Sequence, residues 1–96
     1  MYKIIFVSRK AEKTYRRLRE SDPRILAEID EALEQLERNP KEMVLMRKAT
    51  IRKMKGKYKG KYRIKTPFGY RIVYEIAEKQ LLVKIYKIDT RESIGY

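Results

Sequence analysis

Between residues 36 and 62 of this 96-residue chain, the spacing of apolar residues changes from the period of a helix to that of a strand, and this change limits the folds it can adopt. In residues 25–36 apolar side chains recur every third or fourth position, the period of a helix with one buried face. From residue 62 onward they alternate with charged residues, the period of a half-buried strand. The helical set is Ile25, Leu26, Ile29, Ala32, Leu33 and Leu36, and the strand set includes Tyr62, Ile64, Tyr70, Ile72, Tyr74 and Ile76.

Capping residues divide the helical part into two segments. Ser8 is the predicted N-cap of a first helix, because its hydroxyl can accept a hydrogen bond from the first helical turn. Asp22 can cap a second helix, and Pro23 fits the first helical position, where an N–H has no partner to lose. Asn39 and Pro40 are expected to end that helix. The short link between the two segments predicts an antiparallel helical hairpin.

The remaining pattern predicts four strands. Residues 2–7 are β-branched and aromatic, and residues 62–66, 70–76 and 81–89 form a meander joined by short turns. The predicted order is β-α-α-β-β-β, an α+β fold whose antiparallel sheet carries the helical hairpin on one face. Ninety-six residues fit one domain, which we assign to residues 1–96.

Residues 41–60 show no clear period. The segment Met43-Val44-Leu45-Met46 fits a short helix or a short strand, and its methionines are expected to fill core space. Ile51 and Met54 are expected to hold the segment against the core.

Positive charge is concentrated in the second half of the chain. The formal net charge is +12, and residues 41–96 carry 16 basic and 5 acidic residues. Between Met43 and Tyr74 there are eleven Lys or Arg residues and no Asp or Glu. Such a field attracts polyanions, so nucleic acid is the first partner to consider. The same charge is also consistent with a solvated surface that keeps the protein soluble.

The chain contains neither cysteine nor histidine. Disulfides, thiolate zinc sites and thiol nucleophiles are therefore excluded, and so are the most common general acid–base residue and metal ligand. We expect no metal or other cofactor. The apolar start is too short for a signal peptide, and no apolar run reaches membrane-spanning length, so we expect a cytoplasmic protein that does not contact membranes.

Strand alternation predicts where the meander's cations lie. If Ile64 and Ile72 face the helices, then Arg63, Lys65 and Arg71 project together from the opposite, uncovered face of the sheet. Exposed sheet faces also carry Lys and Arg without any function, so the pattern leaves both interpretations open. The alternating tyrosines are expected in the core, whereas Tyr58, between two lysines, is equally consistent with a base contact and with a solvated loop.

Several short motifs, in order along the chain, resemble the RelE/ParE superfamily of toxin–antitoxin toxins, which has the RelE-like microbial RNase fold. They are Lys53-Met54-Lys55-Gly56, Gly60-Lys61-Tyr62-Arg63-Ile64-Lys65, Gly69-Tyr70-Arg71-Ile72-Val73-Tyr74-Glu75-Ile76 and Ile85-Tyr86-Lys87-Ile88, followed by Arg91 and Tyr96. Earlier in the chain, Lys13-Thr14-Tyr15-Arg16-Arg17-Leu18 and the helix ending in Asn39-Pro40 fit the same pattern. The match of residues 70–74 is weak alone, but with these elements in order the resemblance covers essentially the whole chain.

The resemblance implies an activity and a set of site residues. RelE-type members cleave mRNA in the ribosomal decoding site by attack of a 2′-hydroxyl on the adjacent phosphate, using Lys, Arg and Tyr. By matching motif positions, the resemblance assigns catalysis to Lys65, Arg71, Arg91 and Tyr96. The resemblance places a second basic residue at Arg63, and with the neighbouring basic run we expect RNA binding by Arg63, Lys61, Lys55, Lys57 and Tyr58. The implied partners are the ribosome, its mRNA and a cognate antitoxin protein.

The chemistry of these residue types agrees with those roles. The guanidinium of Arg71 suits a phosphate and stays charged, so we expect it to stabilise the transition state. Lys65 can act as a base only if its pKa falls, and the neighbouring Arg63 and Arg71 favour such a fall. Without histidine, activity away from the ribosome is expected to be low. Two alternatives remain: a ParE-like inhibitor of DNA gyrase, and a non-catalytic module that binds ribosomal RNA on the same fold.

Overall fold

The computed structural model describes residues 1–42 and 51–94, with residues 91 and 92 described by their backbone alone. Within them a five-stranded sheet carries two helices on one face, which confirms the predicted α+β fold. The elements are β1 (Lys3–Phe6), α1 (Arg9–Ser21), α2 (Pro23–Arg38), β2 (Ile51–Lys53), β3 (Tyr62–Lys65), β4 (Tyr70–Ala77), β5 (Leu82–Thr90) and α3 (Arg91–Ile94), with 3₁₀ turns at Gly56–Tyr58 and Glu78–Gln80. No helix in these residues is long and apolar enough to cross a membrane.

Capping hydrogen bonds confirm the predicted helix boundaries. Ser8 Oγ accepts a hydrogen bond from the Ala11 amide at 3.3 Å, and Asp22 Oδ1 accepts one from the Ile25 amide at 3.3 Å. The N–H of Asp22 also donates to the carbonyl of Leu18, at 2.9 Å, and so ends α1. Because one residue ends the first helix and caps the second, the helices fold back on each other as the predicted hairpin.

The sheet has the order β1-β5-β4-β3-β2. The three predicted meander strands are β3, β4 and β5, and they pair antiparallel as expected. Two features depart from the predicted antiparallel sheet, which is in fact mixed. β1 pairs in parallel with β5, because the helical hairpin carries the chain across the sheet before the meander begins. β2 pairs with β3 at the opposite edge, and its three residues are too few to show an alternating pattern.

The main core lies between the helical hairpin and one face of the sheet. Leu18 of α1 and Ile29 and Leu36 of α2 pack there against alternate residues of the strands. Tyr74 is fully buried in this core and Tyr70 packs against it, as the alternation predicts. The predicted segment Met43–Met46 lies outside the described residues.

A second, smaller cluster covers part of the opposite face, so the prediction of an uncovered face is wrong. Met54, Val73 and Ile94 are buried there, with Tyr58 and Tyr86 packed against them. Met54 is thus a core residue as expected, but it lies on the side of the sheet away from the helices. The alternation of residues within the strands could not predict this cluster, because part of it comes from outside the strands, from the turn after β2 and the short helix α3.

Candidate active site

The cations of β3 and β4 form two cross-strand rows on the face away from the helices. In one row Lys65 lies opposite Arg71, which lies opposite Asp89 of β5. In the other row Arg63 lies between Val73 of β4 and Arg52 of β2. Paired residues in neighbouring strands point to the same side of a sheet, so these rows bring the predicted cations together.

Arg71 is buried, with only 7% of its surface exposed. Its Nη1 donates to the carbonyl of Gly69 at 3.4 Å, and no acceptor lies within hydrogen-bonding distance of its Nε in the described part of the chain. Arg71 is not part of the ion pairs seen between described residues, which are Glu12–Arg16, Glu34–Arg38 and Lys41–Glu78. A guanidinium buried in this way has donors available for an anionic ligand.

Lys65 is exposed at the end of β3, directly across from Arg71. Two cations on directly opposite positions repel each other, which disfavours the pairing in the absence of an anion. The nearest acid in the row is Asp89, whose carboxylate accepts a hydrogen bond from the Thr90 amide at 2.8 Å. The expected fall in the pKa of Lys65 stays a prediction.

Arg63 is more deeply buried than expected for a residue on an open face, with 3% of its surface exposed. It helps to line a cavity of about 300 Å³. The described residues that line the cavity are Arg52, Lys53, Met54, Lys55 and Arg63. Four of these five side chains are cationic and none is acidic, so the cavity favours an anion.

A β-bulge places Tyr86 on the same face as the cations. Val73 lies opposite Lys87, whereas the next residue, Tyr74, lies opposite Ile85, so Tyr86 is an extra residue in β5. Ile85 and Ile88 both face the main core although they are three positions apart. An uninterrupted strand would place them on opposite faces, and this spacing is the signal by which the bulge could have been found.

Tyr86 contacts two charged side chains, Lys61 and Glu75. The sequence predicts Lys61 as an RNA-binding residue, but it does not predict that these three residues form a group. The Nζ of Lys61 lies 4.4 Å from the centroid of the Tyr86 ring, and the Tyr86 hydroxyl donates to Glu75 Oε1 at 3.1 Å. Burial raises the pKa of Tyr86, and its hydrogen bond to the Glu75 carboxylate raises it further. Tyr86 therefore keeps its proton at neutral pH. Its hydrogen bond to Glu75 holds the ring beneath Lys61.

The predicted RNA-binding loop folds as a 3₁₀ turn between β2 and β3. Lys55 and Lys57 are exposed, whereas Tyr58 is half-buried against the second cluster. The Nζ of Lys57 lies 5.1 Å from the Tyr58 ring centroid. The ring is therefore packed rather than solvated, and Gly56, at φ +67°, allows the tight turn that brings it there.

Two predicted catalytic residues come from the end of the chain. Arg91 begins α3 directly after β5, and only its backbone is described. Tyr96 lies outside the described residues. α3 is held against the sheet by the buried Ile94, so the backbone of Arg91 is close to the end of the strand that carries Asp89.

Comparison with protein families gives one match over nearly the whole chain. A family model described as the ParE toxin of type II toxin–antitoxin system, parDE, matches residues 5–95. Comparison with curated proteins gives no match.

Several solved structures share the fold. A chain of the YoeB–YefM complex from Staphylococcus aureus is 22% identical, with a TM-score of 0.73 over 93% of this chain and 95% of that one. A chain of the RelBE2 toxin–antitoxin complex from Mycobacterium tuberculosis is 25% identical, with a TM-score of 0.69 over 94% and 98%. The isolated E. coli RelE toxin is 20% identical, with a TM-score of 0.68 over 99% and 97%.

Proposed function

The chain belongs to the RelE/ParE superfamily of toxins from type II toxin–antitoxin systems, and from this premise we propose that it is a ribosome-dependent endoribonuclease that cleaves mRNA and so inhibits translation. The observation that carries the proposal is the buried guanidinium of Arg71 beside Lys65, with its Nε unpaired among the described residues. Burying a charge without an ion partner is costly, and the phosphate of a bound RNA would offset that cost.

The proposed reaction is attack of the 2′-oxygen on the adjacent phosphorus. A bond forms between the 2′-oxygen and phosphorus, and the bond from phosphorus to the 5′-oxygen breaks. Neutral Lys65 takes the proton of the 2′-hydroxyl, while Arg71 and Arg91 neutralise the charge that grows on the phosphate oxygens. Tyr96 supplies a proton to the leaving 5′-oxygen. The products are a 2′,3′-cyclic phosphate and a 5′-hydroxyl end.

The remaining basic residues of this face are proposed to hold the RNA strand. Arg63 with the cavity beside it, and Lys61 over the Tyr86 ring, lie on the same side of the sheet as Arg71. Lys55 and Lys57 extend this positive surface along the turn before β3. Phosphate contacts of this kind position a strand without reading its sequence.

A cognate antitoxin is the proposed protein partner. The similar structures include toxin–antitoxin complexes, YoeB–YefM and RelBE2 among them. For a toxin with a net charge of +12, an acidic segment that orders on binding is the complementary partner.

The function is tested by expressing the protein in a translating extract and mapping the ends of the RNA by primer extension. Cuts in phase with codons and bearing 5′-hydroxyl ends are expected. Arg71→Ala should lower the cleavage rate by on the order of 10²-fold, the usual effect of removing one transition-state donor. Arg71→Lys keeps the charge and loses the planar fork, so it should restore only part of the rate.

The matched control is Arg38→Ala, because Arg38 is an exposed arginine at the end of α2 and pairs with Glu34. This variant should cut as the wild type does. Circular dichroism of the Arg71 variants separates loss of chemistry from loss of fold. Wild-type protein that leaves mRNA intact in the translating extract would refute the proposal.

A gyrase-directed activity is the second candidate, favoured by the ParE description of the matching family model. It predicts broken DNA and intact mRNA after induction. Growth arrest with neither product would instead indicate a non-catalytic module that binds ribosomal RNA.

A further inference from the structure

The turn between β3 and β4 presents an aromatic ring to solvent on a rigid support. Phe68 is 51% exposed. The turn beneath it is closed by Thr66, whose amide and hydroxyl both donate to the Tyr70 carbonyl, at 2.9 and 3.1 Å. The Gly69 amide donates back to the Thr66 carbonyl at 3.3 Å, and the φ of +83° at Gly69 allows this geometry. The backbone under the ring is thus held at several points.

A cation from the helical hairpin steadies the ring. The Cζ of Arg24, near the start of α2, lies 5.7 Å from the Phe68 ring centroid. A guanidinium at this distance is attracted by the aromatic ring and limits its rotamers. Half of the Phe68 surface nevertheless remains in water, so the ring is held in place without being covered.

The ring is also connected to the candidate phosphate site. Lys65 and Arg71 flank the turn, and the Arg71 Nη1 donates to the carbonyl of Gly69, the residue after Phe68. A single exposed apolar side chain is ordinary on a protein surface. An aromatic ring on a rigid turn, beside a cation and next to a buried phosphate-directed arginine, combines the two groups that bind single-stranded nucleic acid.

We propose that Phe68, steadied by Arg24, is a stacking site for a nucleobase of the RNA whose phosphate is bound by Lys65 and Arg71. The inference rests on the proposed function in that RNA is the ligand. Every base presents a π-face, so the site accepts any base and contributes affinity and positioning rather than sequence selection.

Stacking can be observed directly because the chain contains no tryptophan. Phe68→Trp introduces a single indole at the turn. A 2′-O-methyl RNA tetranucleotide, which lacks the attacking hydroxyl, should quench the indole fluorescence. An abasic strand with the same number of phosphates should bind through the cations but leave the fluorescence unchanged.

Affinity measurements separate stacking from charge. Phe68→Ala and Phe68→Leu should each bind the base-containing tetranucleotide about 10-fold more weakly, with unchanged affinity for the abasic strand. Arg71→Ala should weaken the binding of both strands. Leu81→Ala is the matched control, because Leu81 is a 50% exposed apolar residue in the turn between β4 and β5. It should bind both strands as the wild type does.

The outcomes distinguish this inference from the proposed function. If Phe68→Ala binds the base-containing strand as the wild type does, or loses affinity for both strands equally, the stacking site is refuted. Codon-phased cleavage by the wild type would still stand in that case. If the wild type binds neither strand and cuts no mRNA, both proposals fail.

Discussion

The Tyr74 hydroxyl and the Arg71 Nε are both buried, and neither forms a hydrogen bond within the described residues. The two groups differ in what surrounds them. Tyr74 is in the main core, where its ring stacks on Tyr62 with centroids 5.7 Å apart. Arg71 lies on the other face, beside Lys65 and next to the solvent-exposed turn. A ligand cannot reach an unpaired polar group in the core, whereas an unpaired guanidinium near the surface of the sheet can bind an anion.

Tyr74→Phe should therefore increase the free energy of unfolding by about 1 kcal/mol at pH 7, because it removes a buried hydroxyl that lacks a partner. Burial raises the pKa of Tyr74 above its ordinary value, with a smaller contribution from Tyr62. Above about pH 10 the tyrosine of the unfolded chain ionises while the buried one cannot, so the wild type loses stability as the pH rises. The advantage of the variant should grow in that window.

Urea unfolding monitored by circular dichroism at pH 7 and at pH 10.5 measures both effects. Tyr70→Phe is the control, since Tyr70 is only half-buried against the same core. A Tyr74→Phe variant less stable than wild type at pH 7 would mean that the hydroxyl has a stabilising contact.

At the scale of elements, the predictable parts are those specified by neighbouring residues. The caps Ser8 and Asp22 and the 3–4 repeat of α2 depend on residues within one or two helical turns, and the structure confirms them. Alternation likewise located β3 and β4 and assigned Ile64 and Ile72 to the core beneath the helices.

The unpredicted parts depend on residues that are distant in sequence. The parallel pairing of β1 with β5 joins the two ends of the chain. The second cluster combines Met54, Val73 and Ile94 from three separate elements, and it buries Arg63 on a face expected to be open. Alternation assigns a residue to a face but does not reveal what covers that face. The positions of Arg63, Lys65 and Arg71 in the sheet were therefore predictable, and their burial was not.

Asp22 joins the two helices and provides the clearest test at this scale. Asp22→Ala should lower the free energy of unfolding by about 1 kcal/mol, because the first turn of α2 loses the side chain that accepts from the Ile25 amide. Asp22→Asn retains an acceptor and should stay close to wild type. Glu20→Ala, which changes an exposed acidic residue near the end of α1, is the matched control in the same urea titration. If Asp22→Ala and Asp22→Asn lower the free energy of unfolding equally, the effect comes from the charge of Asp22 and not from its capping hydrogen bond.

At the scale of the whole molecule, the charge is segregated more strongly than the two halves of the sequence suggest. α1 carries six basic and two acidic residues, whereas α2 carries two basic and five acidic ones. The segment 51–65 contains eight basic residues and no acidic one. The near-neutral first half is thus a basic helix packed beside an acidic helix, and the strongest positive surface lies along β2, the following turn and β3.

This segregation predicts that the position of a charge matters more than the net charge. The affinity for single-stranded RNA should fall steeply between about 50 and 200 mM salt, with a logarithmic slope of about 0.7 for each phosphate contacted.

Lys55→Ala/Lys57→Ala removes two cations from the positive surface and should reduce the slope by about 0.7 for each lysine. Arg38→Ala/Lys41→Ala removes the same charge from exposed residues that are already ion-paired, with Glu34 and Glu78, and should leave the slope unchanged. Fluorescence anisotropy with a labelled 2′-O-methyl strand measures all three slopes. Equal reductions in the two double variants would show that only net charge attracts the RNA, and a flat response of the wild type would contradict electrostatic binding altogether.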